Sequence, residues 1–154
     1  MLEYIEKMRN FQSKLLHFID NEDDEEENYK NVIKIIEDQN ITKDKHNLKI
    51  FLYIINHISN YHHRYHHFFE KIEKILTKYQ NEIQKNFSNS EIFNIFSKNK
   101  RILLFLFERN IIKIDEYIFT EIKNKPTYLE YFSPEINFFI EQKNHQNNTI
   151  VYYS

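Results

Sequence analysis

No glycine occurs anywhere in the 154 residues, and only two prolines, Pro126 and Pro134, interrupt the chain. Glycine supplies most left-handed turns and helix ends. Its absence leaves the breaking of secondary structure to asparagine, aspartate and serine. Asparagine is the residue with a side chain that best tolerates the left-handed conformation. The elements are therefore the apolar-periodic segments that lie between such residues.

Leu2, Ile5, Met8, Phe11, Leu15 and Ile19 recur at three- and four-residue steps and predict a first amphipathic helix. It runs into "DNEDDEEEN", residues 20–28. As a calcium loop this run lacks alternating ligands and a turn glycine. It reads instead as a solvated acidic connector whose last charges favour the next helix N-terminus. The second helix carries Tyr29, Val32, Ile33 and Ile36, and the third Leu48, Phe51, Leu52, Ile55 and Ile58. A fourth runs continuously through Phe68, Phe69, Ile72, Ile75, Leu76, Tyr79 and Ile83.

The second half of the chain is marked by capping signals. Ser88 followed by Glu91 has the spacing of a capping box, and Thr127 followed by Glu130 repeats it after Pro126. Asn110 closes "KNKRILLFLFERN", and Asp115 caps "EYIFTEI". Ser133-Pro134-Glu135 is a further start signal, with proline at the first helical position. Strand-like alternation occurs only in "TIVYY", residues 149–153. The chain is predicted to be all-α, an array of about eight or nine short antiparallel helices rather than one long bundle. No clean internal repeat of ~33 residues is visible. Residues 1–142 form the helical domain and 143–154 a polar, partly ordered tail.

Composition narrows the function classes. Apolar residues make up 41% and charged residues 29%, the balance of a globular chain, and the length suits one domain rather than two. With no cysteine, disulfide frameworks, zinc ribbons and thiol catalysis are excluded, in keeping with a cytoplasmic protein. The opening "MLEYIEKMRNFQSKLLHF" carries charges every few residues, unlike a signal peptide. No stretch approaches the ~18 uncharged apolar residues of a membrane span. A net charge of -2 argues against nucleic-acid binding through phosphate contacts, and Lys98, Lys100 and Arg101 read as an ordinary helix surface. The favoured residues Ile, Lys, Asn, Phe and Tyr have AT-rich codons, and alanine is absent with glycine. Genome composition, of the kind found in AT-rich microbial eukaryotes, accounts for much of this bias.

"NYHHRYHHFF", residues 60–69, is the stretch closest to a chemical motif. On a helix His62 and His66 share one face, and His63 and His67 a face rotated by about 100°. Either pair could hold a borderline metal through two imidazoles, but the four cannot converge on one ion from a single helix. A tetrahedral site would need further ligands, for which His17, His46, His57 and Glu70 are the candidates. Loop and helix-cap residues are the plainer reading, and no metal or other cofactor is expected. No glycine-rich phosphate loop, nucleophile elbow or His-Glu-x-x-His helix is present, and no catalytic residue is assigned. Tyr53, Tyr61 and Tyr65 could stack on a ligand but read as half-buried packing residues.

Long phrases resemble one family. "YIEKMRNFQSKLLHFIDNEDDEEENYKNVIKIIEDQNI", "NHISNYHHRY", "FFEKIEKIL" and above all "FSNSEIFNIFSKNKRILLFLFERNIIKIDEYI" are similar to a domain of parasitic protists. It is the N-terminal domain of unknown function that precedes ankyrin repeats in their expanded ankyrin-repeat families. The likeness covers roughly residues 1 to 140 and continues in "YLEYFSPEINFFIE". The resemblance implies an ankyrin-like helical stack in intracellular proteins that mediate protein–protein contacts, with no catalytic residue to carry over. "RILLFLFERN" is similar to the second helix of an ankyrin hairpin, while the Thr-Pro-Leu-His turn is absent. Relatives continue into ankyrin repeats and this sequence does not, as expected of a natural short member or of a truncated product.

The expected function is a non-enzymatic interaction or scaffold domain of ankyrin-repeat type. The alternative is a small helical metal- or ligand-binding protein that uses the His62–His67 cluster. "SPEINFFIEQ" places Ile136, Phe139 and Ile140 on one side at three- and four-residue steps, with Phe138 beside them. These four residues are the candidate partner-binding set, and the expected partner is a protein or a second copy of the chain.

Overall fold

A computed structural model of the chain describes residues 2–61 and 67–153. The described residues form ten α-helices and no strand. Their contacts divide the chain into two compact units, Met1–Asn86 and Phe87–Ser154, where length alone predicts a single domain.

The first unit contains α1 (Leu2–Asp20), α2 (Glu25–Asp38), α3 (Lys45–Tyr61), α4 (Phe68–Lys78) and α5 (Gln80–Asn86). Helix α1 packs against α2, α3 and α4, so its apolar stripe forms the centre of the unit. Phe11, Leu15 and Phe18 are fully buried, as are Phe51 and Ile55 of α3 and Ile72 and Ile75 of α4. The ring of Phe11 stacks on Phe51 at 5.2 Å, and Phe51 meets the edge of Tyr79 at 5.9 Å. Lys71 of α4 is also buried, at 3% exposure. Its ammonium donates to the carbonyls of Phe18 (2.9 Å), Ile19 (3.3 Å) and Asn21 (2.9 Å). The last carbonyls of a helix lack intrahelical partners, and Lys71 supplies them from another helix.

The segment predicted as one helix over residues 68–83 is two, broken at Tyr79. Tyr79 is 2% exposed and its hydroxyl donates to Glu37 Oε1 at 2.9 Å. Burying a phenol requires a partner for its hydroxyl, and that partner lies on α2. This break accounts for the tenth helix.

The second unit contains α6 (Asn89–Ile95), α7 (Lys100–Glu108), α8 (Glu116–Lys123), α9 (Pro126–Tyr131) and α10 (Ser133–Tyr153). Three side-chain caps set their starts. Ser88 and Glu91 form the predicted capping box, with the Glu91 amide donating to Ser88 Oγ at 3.2 Å and the Ser88 amide to Glu91 Oε1 at 3.1 Å. Asn99 Oδ1 accepts from the Ile102 amide, and Asp115 Oδ1 from the Ile118 amide at 2.8 Å.

Thr127 does not form the second capping box. It lies inside the first turn of α9, because Pro126 takes the first helical position and Lys125 the cap position, without a side-chain bond. Proline's fixed φ and missing N–H suit that position and start the helix two residues earlier. Pro134 in turn sits second in α10 rather than first. Phe132 is the single residue between α9 and α10, and it is fully buried, edge-on to Phe107 at 5.3 Å. The "TIVYY" stretch lies within α10, so its alternation does not produce a strand.

Asparagine takes glycine's place at two helix ends. Asn40 and Asn110 have φ of 52° and 57°, in the left-handed region. After α2 the amide of Asn40 donates to Glu37 O (3.1 Å) and that of Ile41 to Ile36 O (3.0 Å). After α7, Asn110 donates to Phe107 O (3.1 Å) and Ile111 to Leu106 O (2.9 Å). Both are complete Schellman motifs, and each carries its usual apolar pair, Ile41 with Ile36 and Ile111 with Leu106, all buried.

Candidate interaction face

The four residues singled out on α10 do not form one patch. Ile136 is 3% exposed and belongs to the core, and Phe139 is half-buried with its ring 5.1 Å from that of Phe119. Phe138 is 62% exposed and Ile140 40%. At 3.6 residues per turn, Phe138 and Ile140 are about 200° apart around the helix and face nearly opposite ways. Of the side predicted for Ile136, Phe139 and Ile140, the first two are used for packing, while Ile140 and, more fully, Phe138 are left exposed.

Phe138 and Phe139 instead form one wall of a groove of about 750 Å³. The other wall comes from Phe107 at the end of α7 and from Ile112 and Ile114 in the connection to α8, with Pro134 also lining it. Local sequence explains this wall. The left-handed Asn110 ends α7 abruptly, Ile111 and Ile112 are drawn into the core, and Asp115 starts α8. A short connection that carries Ile111, Ile112 and Ile114 holds more apolar surface than one helix end can staple. That surplus was the available sequence signal for the second wall.

Polar and charged side chains line the groove as well, among them Asn110, Gln142 and Gln146. Lys113 and Glu116 are exposed, and Lys143 of α10 pairs with Glu116 at the start of α8. Glu135, in the first turn of α10, also lines the groove; its Oε2 is shielded from solvent and has no hydrogen-bond partner. Lys113 uses its backbone amide to donate to Asn89 Oδ1 at 3.2 Å, and its ammonium makes no ion pair among the described residues.

Of the histidine cluster, His62, His63 and His66 lie outside the described residues, as does Tyr65. His67 is the residue before α4, with Nδ1 3.1 Å from Glu70 Oε2 and both side chains well exposed. His17 Nδ1 lies 3.1 Å from the side-chain amide of Asn21. No group of three or more His, Cys, Asp or Glu side chains placed to hold a metal ion occurs among the described residues. Tyr53, read as half-buried packing, is 48% exposed.

Elsewhere in the fold, burial pushes the phenols of Tyr29, Tyr79 and Tyr128 above their ordinary value. For Tyr79 the hydrogen bond to Glu37 adds to the effect. Tyr128 donates its hydroxyl to Ser97 O at 2.6 Å, which ties α9 to the turn between α6 and α7. No helix among the described residues is long and apolar enough to cross a membrane. Compared with protein-family models, with curated proteins and with solved structures, the chain finds no match.

Proposed function

We propose that this chain is a non-enzymatic protein–protein interaction domain, of the type that precedes ankyrin repeats in the protist families its sequence resembles, acting in the cytoplasm. The observation that carries the reading is the groove beside α10. Apolar side chains from Phe107, Ile112, Ile114, Phe138 and Phe139 line it together with charged ones, and Phe138 is the most exposed large apolar side chain among the described residues. An exposed aromatic side chain beside further apolar and charged groups is the make-up of a surface that meets another protein.

A pull-down from native lysate tests the reading, with the whole chain as bait and Phe138→Glu as its control. Phe138 is exposed, so the substitution leaves the core intact. A protein recovered by the wild-type chain and lost with Phe138→Glu supports an interaction domain that works through this groove. The same set of proteins recovered by both baits removes the groove from the function.

A further inference from the structure

We draw no further inference here: the strongest candidate, the groove beside α10 with Phe138 exposed along it, belongs to the site already described, and nothing in the structure shows what covers it.

Discussion

Replacing Lys71 by methionine isolates the contribution of one buried ammonium. The thioether chain keeps the length and apolar stem of lysine and deletes only the charged head. Two of its three bonds are well formed, at 2.9 Å to Phe18 O and Asn21 O, and the third, at 3.3 Å to Ile19 O, is weaker. Hydrogen bonds to a charged group contribute about 1.5–3 kcal/mol each, so the two short ones sum to about 3–6 kcal/mol. Relief of the ammonium's desolvation offsets part of this, and rehydration of the partly buried Asn21 carbonyl offsets a little more. A net loss of about 2–4 kcal/mol remains, which for a chain of this length lowers the melting temperature by about 5–15 °C. Urea and thermal unfolding followed by far-UV circular dichroism measure it, with Lys71→Ala alongside to remove the stem as well. If Lys71→Met is within about 0.5 kcal/mol of wild type while Lys71→Ala is strongly destabilised, the lysine acts as apolar filler, and the helix-end argument fails.

The capping residues give a paired comparison. Ser88→Ala should cost about 1 kcal/mol in urea unfolding, whereas Thr127→Ala, inside the first turn and exposed, should change stability by less than about 0.5 kcal/mol. Asn40→Ala and Asn110→Ala should each destabilise by about 1 kcal/mol or more, and the glycine versions should equal or exceed wild type, since only the former place a Cβ without compensation at positive φ. Tyr79 predicts an alkaline effect. Its folded pKa lies above the ordinary 10.0, so the folded state holds the proton after the unfolded chain has released it. Stability from this group is therefore complete below about pH 10 and declines as pH rises above it. Tyr79→Phe should unfold less steeply with pH in that range, and equal slopes for the two chains would contradict the assignment.

Most of the helix pattern was legible because a chain without glycine has to mark its breaks with polar residues. Ser88, Asp115 and Asn110 do so through bonds to amides or carbonyls a few residues away, which local sequence specifies. The features missed depend on partners distant in sequence. Tyr79, at the break, has its hydroxyl partner on α2, and Lys71, which reads as one more helix-surface charge, is buried with its acceptors at the end of α1. Thr127 was misread for a different reason, since a capping-box spacing and a proline start compete for adjacent positions and the rigid ring prevailed. At the groove, periodicity pointed to Phe139 and adjacency to Phe138, but the other lining residues belong to a connection whose apolar residues follow no helical period.

The two left-handed asparagines also bear on how this fold can persist under mutation. A turn that depends on glycine depends on GC-rich codons, and a genome drifting towards AT erodes such positions first. Asparagine codons are AT-rich and lie more than one base change from those of glycine, but aspartate lies between them. Aspartate too is accepted at positive φ, as Asp24 shows at 53°. Helix termination in this chain is thereby moved onto residues that compositional drift supplies rather than removes. Homologous positions in lineages of differing base composition should exchange among Asn, Asp and Gly while the buried isoleucine that follows each turn, Ile41 or Ile111, stays apolar.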